Sequence, residues 1–138
     1  MLKINLIIPA KERVQDLYKI IRPLIKKSYI NQIILVLHKK YEGKFIKNKK
    51  LKIIVQKHPG YGSAIKEGFK ISKTKFSCIF NADGSFNLND LPKMIRLAEH
   101  NDFVFASRYL KGAGSEDDNI ITLIGNIIFS FLGRKFLN

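Results

Sequence analysis

Five short β-branched or aromatic runs recur along the chain at 3–8 (KINLII), 32–37 (QIILVL), 51–56 (LKIIVQ), 76–80 (FSCIF) and 102–106 (DFVFA). Helically patterned segments lie between most of them, and this rhythm constrains the fold more than any other feature. Strands joined by helical crossovers pair in parallel, so the alternation predicts βαβ units in an α/β fold, a largely parallel sheet flanked by helices. Pro9 is expected to stop the first strand, because a proline has no N–H for the ladder. Val14, Leu17, Tyr18, Ile21, Leu24 and Ile25 fall at helical spacing over 14–25. Pro23 should kink or split that helix. Gly60-Tyr61-Gly62-Ser63 opens a second helix, and Gly68 within it permits close packing. Asn87 and Asp90 resemble a capping box ahead of a third helix running to about Glu99, with Pro92 near its first turn. A last helix is expected over 120–137. The lysine-rich stretch 39–50 reads as a mobile surface loop.

At 138 residues the chain is expected to form one domain with its own core. Its single cysteine, Cys78, excludes an intramolecular disulfide framework and reads as a small core residue. His38, His58 and His100 are too scattered for structural zinc. The formal charge of +14 favours anionic partners. However, the cations are 20 Lys against 5 Arg, alongside 21 Ile and 10 Asn, a mix that AT-biased coding produces without selection for binding. No nucleic-acid motif accompanies the lysines, so nucleic acid is not the expected partner. Nothing at the N-terminus has the form of a signal peptide, and no run reaches the ~18 to 20 apolar residues of a membrane span. The expectation is an intracellular protein that does not cross a membrane.

Open α/β sheets bind ligands beyond the carboxyl ends of their strands, and three groups of residues are expected there. Asp83, flanked by Asn81, Gly84 and Ser85, follows the fourth strand and offers oxygen ligands suited to Mg²⁺ or Mn²⁺. Read locally, an Asp-Gly after a strand is first of all a turn. Gly60-x-Gly62 at a helix start can face an anion through backbone N–H groups, or be a plain helix entry. Without Gly-Lys-Ser/Thr it is not a Walker loop, and Ile65 weakens a dinucleotide fingerprint. Arg108, directly after the fifth run, could hold a diphosphate bidentately or simply be solvated.

Taken in order, Leu6-Ile7-Ile8-Pro9-Ala10, Gly60-Tyr61-Gly62-Ser63-Ala64, Gly68, Asn81-Ala82-Asp83-Gly84-Ser85, Asp90-Leu91-Pro92 and Asp102 to Tyr109 carry a resemblance. The set resembles the inverting family 2 glycosyltransferases of GT-A fold, the Rossmann-like nucleotide-diphospho-sugar transferase architecture. Within them it looks most like the dolichol-phosphate mannose synthase-like branch. The resemblance implies a nucleotide-diphosphate sugar donor held through a divalent cation, Mg²⁺ or Mn²⁺. Asp83, Asn81 and Ser85 match its metal turn. Pro9, Ala10, Glu12, Gly60, Gly62, Ala82, Asp83 and Arg108 match the donor-binding positions, and Asp83 and Arg108 the catalytic ones. It further implies hexose transfer to a lipid phosphate or related acceptor, as in cell-envelope glycan assembly. A phosphate acceptor, with its second pKa near 6, needs no general base.

The chain also departs from that family. Asn81 stands where the family has the first acid of its Asp-x-Asp motif, and Glu12 and Arg13 fall one position off the nucleotide-loop acid. Leu37-His38-Lys39-Lys40 replaces an acidic strand end that contacts the nucleobase. The sequence runs to Asn138, short of the segment that in the family completes the acceptor side, so the resemblance is to a donor-binding half. The alternative is a truncated or degenerate GT-A-like nucleotide-binding module without catalysis, acting through a protein partner or a second copy of the chain. The 120–137 helix, rich in Ile and Phe with Arg134 and Lys135 beside it, and the lysines of 39–50 together predict peripheral attachment to the cytoplasmic membrane face.

Overall fold

A strand such as Ile4–Ala10 (β1), in which only Asn5 is polar, must be covered on both faces. It runs inside a parallel sheet with Ile30–Leu37 (β2), Leu51–Val55 (β3) and Ser77–Ile79 (β4), in the order β3-β2-β1-β4. The computed structural model describes residues 2–11, 14–38, 46–83, 86–107, 124–126, 128, 129, 131, 132 and 135. The chain divides into two compact units, Met1–Val104 and Phe105–Asn138.

In the first unit, side chains alternate across the sheet as the pleat requires. Ile4, Leu6, Ile8, Ile33, Leu35 and Leu37 share one core with Leu17, Ile21 and Leu24 of the helix Val14–Ile25 (α1) and with Leu91 and Ile95 of the helix Leu91–Ala98 (α3). Ile7, Ile34 and Val36 face the other way and pack on Ala64 of the helix Tyr61–Ile71 (α2). Gly68 of α2 lies directly against Ile7, where an added Cβ would overlap the isoleucine side chain. Its expected role in close helix packing is therefore borne out. Asn5, buried at the opposite end of the sheet from the strand C-termini, is satisfied on both sides. Its Nδ2 donates to Ser72 Oγ at 2.8 Å, and its Oδ1 accepts from Asn31 Nδ2 at 2.9 Å.

Four expectations need correcting. Pro9 does not stop β1, which pairs with β2 through Ala10. Asn5 donates to Phe76 and Ile7 accepts from Phe80 on the β4 side, whereas Ala10 accepts from His38 on the β2 side. By that alternation the missing N–H of Pro9 falls on the β4 side, where register pairing with β1 ends at Ile79. The proline thus ends one ladder and spares the other. Pro23 does not split α1 but lies in its last turn. Asn87 Oδ1 accepts from Asn89 N at 3.0 Å, yet Asp90 makes no reciprocal side-chain cap, and a 3-10 turn at Leu88–Asp90 precedes α3. Finally, 102–106 forms no strand. The boundary between the two units falls inside that run, and an apolar alternating segment becomes a strand only where a neighbouring edge takes up its backbone groups.

Lys50, counted with the lysine-rich loop, is a fixed structural group: its Nζ donates to the carbonyls of Ile25 at 3.1 Å and Lys27 at 2.7 Å, closing the C-terminal end of α1. Residues 39–45 of that loop lie outside the described residues. In the second unit 124–126, 128, 129, 131, 132 and 135 are helical, with Ile124, Ile128, Phe129, Phe131 and Leu132 exposed. Among the described residues no helix is long and apolar enough to cross a membrane.

Candidate functional site

Strand order decides where a ligand can enter. In the order β3-β2-β1-β4 the direction of winding reverses between β1 and β4, and such a reversal leaves a crevice beyond the strand C-termini. A cleft of about 250 Å³ opens there. Its lining includes Pro9, Ala10 and Lys11 after β1, His38 after β2, Gln56 after β3, Gly60, Tyr61 and Ala64 at the start of α2, and Asn81, Ala82 and Asp83 after β4.

Backbone bonds carry the strand ends into the cleft: His38 N donates to Ala10 O at 3.1 Å and Gln56 N to Leu37 O at 2.9 Å. The approach to α2 is held from within. Both carboxylate oxygens of Glu67, on α2, accept from Lys57 N at 2.8 and 3.1 Å, and Oε1 also accepts from His58 N at 3.3 Å. Gln56 Nε2 donates to His58 O at 2.9 Å. Gly60 then turns the chain into the helix at φ +108°, a backbone conformation that only glycine adopts without strain. No side chain caps the helix and its first turn carries no acid, so its leading N–H groups and the positive end of its dipole suit an anion.

The turn after β4 is anchored at both sides. Phe80 is buried, with its N–H on Ile7 O at 2.9 Å, and its ring meets that of Phe86 beyond the turn at 5.3 Å. Ala82 is buried between Asn81 and the exposed Asp83. Across the cleft the Tyr61 hydroxyl donates to Asn81 Oδ1 at 2.6 Å. Cys78 in β4 is no nucleophile for this site, because burial pushes its thiol up to about 11.

Of the expected site residues, Pro9, Ala10, Gly60, Asn81, Ala82 and Asp83 meet at one cleft. Gly62 is exposed one residue into α2 and is not part of the lining, and a Cβ there would meet open space. Glu12, Ser85 and Arg108 lie outside the described residues. Lys11, Gln56 and Tyr61 were not anticipated, and His38 only as a departure from an acidic pattern. The signal for Tyr61 was its place between Gly60 and Gly62, where it passed as a spacer.

As a cation site the described donor set is thin. No group of three or more His, Cys, Asp or Glu side chains comes together among the described residues. Asp83 offers one carboxylate, which fits a Mg²⁺ or Mn²⁺ ion shared with substrate phosphates. Asn81 fits less well, since its amide brings no charge and one lone pair of its oxygen is taken by the Tyr61 hydroxyl.

The family model for glycosyl transferase family 2 matches residues 6–137. Uncharacterized glycosyltransferases of Mycobacterium bovis and Mycobacterium tuberculosis are each 40% identical over 43 residues, covering 31% of this chain and 20% of theirs. The alignment thus spans about a fifth of the length of these curated relatives.

Proposed function

The chain belongs to glycosyl transferase family 2, and we propose that its cleft binds the diphosphate of a nucleotide-sugar donor for transfer of a hexose, with inversion, to a lipid phosphate or related acceptor. The observation that carries this is the cleft at the β1/β4 reversal, where Asp83 faces the uncapped start of α2 across one crevice. An acidic residue opposite a helix N-terminus suits a ligand that is itself anionic and arrives with a cation.

Each residue has a task in the transfer. The N-terminus of α2, shaped by Gly60, receives a phosphate oxygen. Lys11 adds positive charge on the β1 side. Asp83 would hold a Mg²⁺ or Mn²⁺ ion, which when bound would supply charge stabilisation to a leaving diphosphate. On the family pattern Arg108 is assigned a donor-phosphate role as well. An acceptor phosphate oxygen attacks the sugar's anomeric carbon as the bond to the diphosphate breaks, so a nucleoside diphosphate departs and no proton need be removed. Within the family, the ordered motifs support placement in the dolichol-phosphate mannose synthase-like branch. The exposed apolar side chains of Ile124, Ile128, Phe129, Phe131 and Leu132 support a peripheral membrane location suited to a lipid acceptor.

A second reading, a nucleotide-binding module without catalysis, is favoured by Asn81 in place of an acid. Release of nucleoside diphosphate from a panel of nucleotide sugars, with Mn²⁺ and with or without a polyprenyl phosphate, separates the two. Metal-dependent release that Asp83→Ala abolishes supports the enzyme. Binding without release in any combination supports the module.

A further inference from the structure

Asn81 stands in the cleft as a neutral amide whose oxygen is already engaged. Its Oδ1 accepts from the Tyr61 hydroxyl at 2.6 Å, across twenty residues of sequence. In this arrangement the hydroxyl donates and the amide oxygen accepts. The oxygen faces the start of α2, and the Nδ2–H₂ group has no protein partner among the described residues. An N–H₂ edge offers nothing to a cation and two donors to an anionic oxygen.

Charge leads to the same conclusion. Lys11 and Asp83 line the cleft and offset one another. An aspartate at 81 would make the described lining net negative toward a diphosphate and favour entry with a cation. The amide removes that charge and substitutes a donor.

We propose that Tyr61 and Asn81 work as a pair that reads the donor diphosphate directly, Asn81 Nδ2 donating to a phosphate oxygen and the Tyr61 hydroxyl, as a positioning group, holding the amide in that sense. The inference rests on the donor-site reading above. It assigns Asn81 to the anion and leaves the cation to Asp83. Part of the donor's affinity is then independent of metal.

The test is calorimetry with UDP, GDP, CDP and ADP, in EDTA and in Mn²⁺, on the wild-type chain, Tyr61→Phe and Asn81→Asp, with thermal melts to verify folding. Wild type should bind at least one of the four in EDTA. Tyr61→Phe keeps the ring and loses the hydroxyl, and should weaken metal-free binding about five- to tenfold, the loss of one well-oriented bond to a charged oxygen. Asn81→Asp should weaken metal-free binding by about tenfold or more while binding in Mn²⁺ holds or tightens, since it adds a ligand charge. If wild type binds only with Mn²⁺, or the ratio of metal-free to Mn²⁺ affinity is the same in all three proteins, the pair has no such role and the donor site stands. A response in Asn81→Asp alone overturns the part given to Tyr61. Failure of wild type to bind any of the four in either buffer overturns the pair and the donor site together.

Discussion

Gly68→Ala sets two known effects against each other, and the structure decides the sign. In a helix interior, alanine for glycine gains about 1 kcal/mol of propensity. Gly68, however, packs on Ile7, which is fully buried in a central strand. The new Cβ would overlap Cγ2 of Ile7 and lie 3.3 Å from Cγ1. A β-branched side chain has little rotamer freedom with which to yield, and such overpacking costs about 1–3 kcal/mol. The expected outcome is a net loss of about 1 kcal/mol, set by the difference between these terms.

Ile7→Ala alone should cost about 2–5 kcal/mol through the cavity it opens. Combined with Gly68→Ala, the new methyl enters part of that space, and the double variant should be more stable than the sum of the singles by about 1 kcal/mol or more. Urea unfolding followed by far-UV circular dichroism measures all four corners of the cycle. A Gly68→Ala protein more stable than wild type by the propensity gain would refute the packing of α2 on β1. That packing matters for the site, because it sets the distance between Gly60 and Tyr61 at the start of α2 and Pro9 and Ala10 on β1.

Three further outcomes are expected. Lys50→Met keeps the side-chain stem but removes the donor to the Ile25 and Lys27 carbonyls, and should destabilise by about 1.5 kcal/mol, the low end for charged hydrogen bonds because the site is only partly buried; an unchanged unfolding midpoint contradicts it. Cys78, with its thiol pushed up to about 11 by burial, holds about a hundredfold less thiolate near neutral pH than an ordinary cysteine, so it should react with a disulfide reagent at least that much more slowly and accelerate as pH rises; fast labelling of the folded protein contradicts it. Sedimentation with anionic vesicles at low salt should carry the chain down, less so at high salt and less for Phe129→Ser/Phe131→Ser, whereas protein left in the supernatant denies the membrane role.

Strand and helix identities in the first unit were legible because β1 and β2 are apolar on both faces and α1 shows clear helical spacing. Gly68 and the Asp83 turn were legible for similar reasons, each having a local signature. What escaped was set by partners distant in sequence. Whether Pro9 ends a strand depends on which neighbour its missing N–H faces, and that is a property of sheet order. Whether 102–106 becomes a strand depends on an edge to pair with. The Glu67 bonds to the Lys57 and His58 backbone, the Lys50 cap on α1 and the Tyr61–Asn81 bond join residues 9 to 25 positions apart. No periodicity encodes such contacts. Asn81 was visible as a departure from a motif, but its tyrosine partner was not.

The crevice between the ends of β1 and β4 is proposed to receive a nucleoside diphosphate. Amide-resolved NMR titration of the isotopically labelled chain with UDP, GDP, CDP and ADP, in Mg²⁺, tests it most directly. The expected shifts cluster at Ala10 and Lys11, at Gly60 to Ala64 and at Asn81 to Asp83, and saturate with one of the nucleotides. Saturable shifts confined to other parts of the chain, or none with any of the four, would contradict the claim.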